Sequence, residues 1–194
     1  MLWTCFHRRH EDGTPRTPRG PDGLPPLVNA TCFDGVIRQV RQPSSNTLVV
    51  AAQRGLWTNR LVTRRVVNVA RELFNCTALD GVELETEPES AEHCYGSHWD
   101  QTFFPDEFLA PRDAHVSINV AFSTVQLSKA KPVRRTALTL AALEDSGWYK
   151  ANYSLAEPFE FGRPSKRGCD FVAGLQHKRC LRDLSSGRAS HCDL

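Results

Sequence analysis

The chain has 194 residues, enough for one domain with a buried core or a large part of something bigger. Apolar residues make up 40% and charged residues 24%, an ordinary globular composition, and no apolar run approaches the ~18 residues of a membrane-spanning helix. The net charge of +2, with basic residues scattered among acidic ones, leaves no electrostatic footprint for nucleic acid.

The start, MLWTCFHRRHEDG, meets charge at Arg8, too early for the roughly 7–15 apolar residues of a signal peptide. Other features are those of exported proteins. There are seven cysteines (Cys5, Cys32, Cys76, Cys94, Cys169, Cys180 and Cys192), an odd number that leaves at least one unpaired. Three glycosylation sequons begin at Asn29, Asn75 and Asn152. Extracellular signs without an export signal lead to the expectation that the natural N-terminus lies further upstream.

Residues 12–26, DGTPRTPRGPDGLPP, read as an irregular Pro/Gly-rich loop, and residues 1–30 form the first expected region. Two β-branched runs, 35–41 and 46–52, are split by QPSS and predict a pair of short strands. The spacing of Val62, Val66, Val69, Ala70, Leu73 and Phe74 predicts a helix over 59–74, with Thr58 or Asn59 as its N-cap. Arg60, Arg64 and Arg71 fall mostly on its other face, as a solvated surface or a docking surface. Pro88 interrupts the acidic stretch 80–94. Partial alternation over 115–131 suggests an extra strand. A second helix is predicted over 133–146, where Leu138, Ala141, Ala142 and Asp145 keep helical spacing and Gly147 is the stop. WYKANYS follows as an aromatic anchor segment. The class is therefore α+β with long irregular segments, its body over 31–161 and a Cys-containing, partly disordered tail over 162–194.

Catalytic zinc needs three protein ligands and one open position, and HExxH on a helix supplies two of them plus a general base. HExxH does not occur in these 194 residues. His7 and His10 in HRRHED stand at i, i+3, with the Glu after the second His and a Pro-rich loop beyond, so they do not make that motif. CYGSHWDQTFFPDEFLAP (94–111) contains His98 and a carboxylate pair, Asp106 and Glu107; His93 and Cys94 lie beside it, but the spacing matches no closed zinc motif. There is no Gly-rich phosphate loop and no G-x-S-x-G.

Four segments occur in order: VVNVARELFNCTALDGVELE (66–85), GSHWDQTFFPDEFLAP (96–111), TALTLAALEDSGWYKANYSLAE (136–157) and GRPSKRGCDFV (162–172). Together they resemble the leishmanolysin family of metzincin zinc metalloendopeptidases, closest to the animal leishmanolysin-like (invadolysin) type, over roughly residues 6–180. The resemblance implies a partial metzincin-like catalytic domain, protein or peptide substrates and an extracellular or membrane-associated setting. It makes His98 the third zinc ligand and puts Leu109 where the family has its Met-turn methionine. It also implies a Cys76–Cys169 disulfide; the alternative is two free buried thiols in a cytoplasmic fragment, since the chain shows no signal peptide. FHRRHEDGTPRTPRGPDG resembles the loop after the family's active-site helix, so the chain is expected to begin just past that helix and to be inactive alone, with one zinc ligand and no catalytic residue. Two departures stand out: TEPESAEHCYGSH replaces a glycine-rich approach to the third histidine, and 114–131 is an apparent insertion. Two other readings remain, a non-catalytic protein-binding or adhesion module derived from the fold and an unstable truncated product. Nothing in the sequence gives the oligomeric state.

Overall fold

A computed structural model describes residues 12–32, 36–41, 43–53, 56–85, 94, 96–100, 103–104, 107–110, 134–159 and 168–173. The elements run β1 (Leu27–Thr31), β2 (Ile37–Arg41), β3 (Leu48–Gln53), β4 (Leu56–Leu61), α1 (Arg64–Phe74), β5 (Val82–Leu84) and α2 (Ala137–Asp145), followed by a 3-10 turn at Tyr153–Leu155. Mixed helix and antiparallel sheet make the chain α+β, as expected.

The two predicted strands exist but do not pair with each other. β2 pairs with β1 in an antiparallel hairpin, Leu27 opposite Arg41 and Thr31 opposite Ile37. β3 pairs with β4, Leu48 opposite Leu61, and β4 with β5, Leu61 opposite Val82. β1 thus straddles the boundary expected at residue 30. The first helix also starts later than its pattern suggested. Residues 56–61 are strand β4, and the N-cap is Thr63 rather than Thr58 or Asn59. Arg60 therefore belongs to β4, where it ion-pairs with Asp80. Arg71 is not free in solvent either: its Nε donates to the Leu79 carbonyl at 2.7 Å. α1 ends where Asn75 adopts the left-handed conformation (φ 51°) and its amide bonds back to the last turn.

α2 keeps its predicted apolar pattern but starts at Ala137 rather than near 133, because Thr136 is extended and caps the helix, leaving Arg134 and Arg135 outside it. Leu138, Ala141, Ala142 and Asp145 are all buried, Thr136 caps the start through Leu138 N, and Gly147 at φ 75° ends it. α2 packs against α1. Between them Asp145, fully buried, acts across the interface. Its Oδ2 accepts from the Arg65 and Val66 amides at 2.9 and 3.1 Å. The Thr63 side chain makes no cap hydrogen bond, so Asp145 supplies α1 with the anion that a helix N-terminus favours. Its Oδ1 faces the Arg16 and Arg65 guanidinium groups, each at 3.4 Å. Arg16 and Thr17 are themselves buried, and the Thr17 hydroxyl accepts from Ser44 N at 3.1 Å. The Pro/Gly-rich loop is thus irregular, as read, and packed into the fold.

The core joins Val66, Ala70 and Phe74 of α1 and Leu138 of α2 to Leu61 and Leu84 of the sheet, with Trp99 and Phe104 filling the centre. Phe74 and Phe104 meet edge to face at 5.7 Å. The buried Trp99 indole donates to Thr139 Oγ1 at 3.3 Å. By contrast the expected aromatic anchor is exposed, Trp148 by 52% and Tyr149 by 64%. Two disulfides close the structure, Cys76–Cys169 and Cys32–Cys94. The strand expected over 115–131, His7, His10, His93, Pro88, Asp106 and most of the 162–194 tail lie outside the described residues.

Candidate functional site

His98 sits on a segment that extends the sheet. Leu84 and Trp99 form an antiparallel bridge, and Asp100 N donates to the Glu83 carbonyl at 3.1 Å. On the other side, Glu85 N donates to the His98 carbonyl at 3.0 Å. Residues 98–100 are thereby held along the edge of β5 by backbone bonds rather than by loop packing alone.

The side chain of Glu85 closes this arrangement. One oxygen, Oε1, accepts from Ser97 N at 3.0 Å and His98 N at 3.2 Å and lies 2.7 Å from the His98 ring nitrogen Nδ1. Glu85 is buried, while His98 keeps about a third of its side chain exposed (34%). Gly96 makes the approach possible. A Cβ there would stand 2.0 Å from the Glu85 carbonyl oxygen and 2.7 Å from its Cγ, so no other residue fits without moving the backbone.

Cys94, two residues before Gly96, is buried and bonded to Cys32 at the end of the β1–β2 hairpin. Its sulfur is therefore a crosslink and is unavailable as the local ligand that its place beside His98 suggested. Leu109 is brought to the same segment: its carbonyl accepts from Trp99 N at 2.9 Å, and its side chain packs against the core. The turn carrying it is closed by Ala110 N donating to the Glu107 carbonyl at 3.1 Å.

Glu107 looked in the sequence like half of an acid pair. It is buried at 4% exposure and accepts from the hydroxyls of Thr136 and Thr139, the latter at 2.6 Å. Burial pushes its carboxyl above the usual range, opposed by those two hydroxyl bonds. It joins the turn to α2 and lies inside the packing.

The three sequon asparagines, Asn29 on β1, Asn75 at the end of α1 and Asn152 before the 3-10 turn, are all exposed. Cys76 and Cys169 are bonded, as the resemblance implied. Two features escaped sequence reasoning. The Cys32–Cys94 bridge had no signal beyond an even choice among seven cysteines. Glu85 had none beyond its place in an acidic stretch.

As a metal donor, His98 fits in part. With Nδ1 engaged by a carboxylate, its second nitrogen, Nε2, is left as the donor atom. Among the described residues no group of three His, Cys, Asp or Glu comes together to hold an ion. One imidazole is what these residues bring to such a site.

The leishmanolysin (peptidase M8) family model matches residues 44–186. The chain is 34% identical over 192 residues to a leishmanolysin-like peptidase of Drosophila melanogaster, covering 94% of this chain and 24% of that protein. It is 31% identical over 173 residues to a leishmanolysin-like peptidase of Caenorhabditis elegans, covering 84% of this chain and 22% of that one. A ciliated left-right organizer metallopeptidase of Danio rerio is 32% identical over 135 residues, 68% of this chain and 19% of its own length. The chain thus spans about a quarter of the length of these leishmanolysin-like relatives.

Proposed function

The chain belongs to the leishmanolysin family of metallopeptidases, and from that premise we propose that it carries the third-ligand part of a zinc endopeptidase centre, with His98 as donor. The observation behind this reading is the held imidazole of GSHW. Nδ1 is committed to Glu85, Nε2 remains for coordination, and the next residue is hydrogen-bonded to the turn of Leu109. Leu109 takes the place of the Met-turn methionine as an apolar floor; its volume is close to that of Met, so the packing can be kept without the sulfur.

In a complete site zinc would supply Lewis acidity and a bound water of lowered pKa for attack on a peptide carbonyl. The 194 residues contain no HExxH, and among the described residues His98 is the one imidazole such a site would use. We therefore assign them no peptidase activity alone. The expected substrates of the family centre are proteins or peptides, and an extracellular or membrane-associated setting agrees with two disulfides and three exposed sequons. Among the described residues no helix is long and apolar enough to cross a membrane.

The test is metal analysis together with a peptide-cleavage assay on the purified chain. Expected are weak zinc binding that disappears in His98→Ala and no cleavage above buffer. Stoichiometric, tightly held zinc with chelator-sensitive cleavage would overturn the assignment of inactivity. Zinc binding unchanged in His98→Ala would remove His98 as the donor and favour a non-catalytic protein-binding module.

A further inference from the structure

We propose that Glu85 is the positioning residue for His98, fixing both the tautomer and the orientation of its ring. An ionised carboxylate only accepts hydrogen bonds. At 2.7 Å from Glu85 Oε1, Nδ1 must therefore carry the proton, and in the neutral ring Nε2 is left with its lone pair. A histidine side chain in water favours the opposite form, with the proton on Nε2, which cannot bind a metal through that atom. Glu85 reverses the preference and presents the donor nitrogen already bare.

Orientation is fixed by the same oxygen. Oε1 holds the His98 backbone amide at 3.2 Å as well as its ring, and Ser97 N at 3.0 Å. Side chain and main chain of one residue are thus tied to a single point, which leaves the ring little rotational freedom. That point is itself firm. Glu85 follows β5 directly, its own amide is bonded to the His98 carbonyl, and Gly96 packs onto its backbone. Among the described residues its only ion-pair partner is His98. A buried carboxylate committed to one half-exposed imidazole is the arrangement that raises ligand basicity and sets ligand direction in metal sites. The inference rests on the reading of His98 as a zinc donor, but the tautomer is a property of this chain and can be measured without metal.

The experiment is a long-range proton–nitrogen correlation spectrum of the histidine rings in the 15N-labelled chain at neutral pH, with His98 assigned by its loss in His98→Gln. The wild-type chain is expected to show His98 in the Nδ1–H form. Glu85→Gln, whose amide oxygen still accepts, retains it. Glu85→Leu moves His98 to the Nε2–H form while the other histidines stay unchanged. Wild-type His98 in the Nε2–H form overturns the proposal, as does an unaltered Nδ1–H form in Glu85→Leu. If Glu85→Leu does not fold, the wild-type and Glu85→Gln spectra decide. Titrating Zn²⁺ into the same wild-type sample separates the two readings. An Nδ1–H ring whose Nε2 resonance ignores zinc keeps Glu85 as the positioning residue and removes His98 as a donor. A zinc response on a ring that began as Nε2–H does the reverse.

Discussion

A carboxylate taken out of water must find donors or keep its proton, and Glu107 has both routes. Burial raises its pKa, while the Thr136 and Thr139 hydroxyls favour the ionised form without restoring the ordinary value of 4.5. The folded chain therefore holds this proton to a higher pH than the unfolded chain does. Its contribution is fully present below the ordinary value and is lost as pH rises through the folded one. Glu107→Gln has no proton to lose, and its amide can still serve both threonines. Its melting temperature relative to wild type should therefore climb as pH rises from about 4 to 7. Melting curves that stay parallel across that range would show that Glu107 is not the group responsible. At Gly96 the constraint is space. A methyl group 2.0 Å from the Glu85 carbonyl oxygen forces β5 and the His98 segment apart. Gly96→Ala should cost about 1–3 kcal/mol in urea unfolding, the usual range for overpacking, and should disturb the His98 ring signals. A variant as stable as wild type with an unmoved His98 would mean that the segment is loosely held.

Between elements, the α1–α2 junction turns on Asp145. It caps two amides of α1 from the last turn of α2 and faces Arg16 and Arg65. Replacing it takes a carboxylate away from the buried Arg16 guanidinium, and loss of one partner of such a pair costs roughly 3–5 kcal/mol. Asp145→Asn keeps one acceptor for the helix amides but removes the charge, so it should lose less than Asp145→Ala. Equal stability of all three in urea titration would show that neither cap nor ion pair contributes. The body of the helix bearing Asp145 was legible because its apolar positions and Gly147 agree on one answer, whereas its start was read at 133 and the Thr136 cap was missed. The start of α1 was not. TNRLV can continue a helical pattern, and only pairing with β3 and β5 makes it strand β4. Pairing of that kind joins residues distant in sequence, which local periodicity does not register. The site divides in the same way. GSHW and DEFLAP point to His98 and Leu109 through resemblance, whereas Glu85 becomes visible only once β5 and the 98–100 segment lie side by side.

At the scale of the whole molecule, two crosslinks join parts of the chain that are far apart in sequence to one core. Cys76–Cys169 ties the end of α1 to the helical turn at 169–173 across 93 residues. Cys32–Cys94 ties the β1–β2 hairpin to the approach to His98 across 62. In the chain-entropy picture each restricts the unfolded state by on the order of 4 kcal/mol, with little difference between them because the dependence on loop length is logarithmic. Their effects on the site should nevertheless differ. Cys76 and Cys169 border a cavity of about 190 Å³ that also involves Phe74 and Val172, and neither cysteine is bonded to the 96–98 segment. Cys94 is two residues from Gly96, so its release frees the segment that must press onto Glu85. The double variants Cys76→Ala/Cys169→Ala and Cys32→Ala/Cys94→Ala should therefore lose similar unfolding free energy. Only the second should shift the His98 ring towards the Nε2–H form in nitrogen-edited spectra. If both variants leave the His98 tautomer as in wild type, Glu85 and the β5 edge hold the ring without help from the crosslink. A shift in the first variant alone would mean that the ring is held through the core rather than through its own segment.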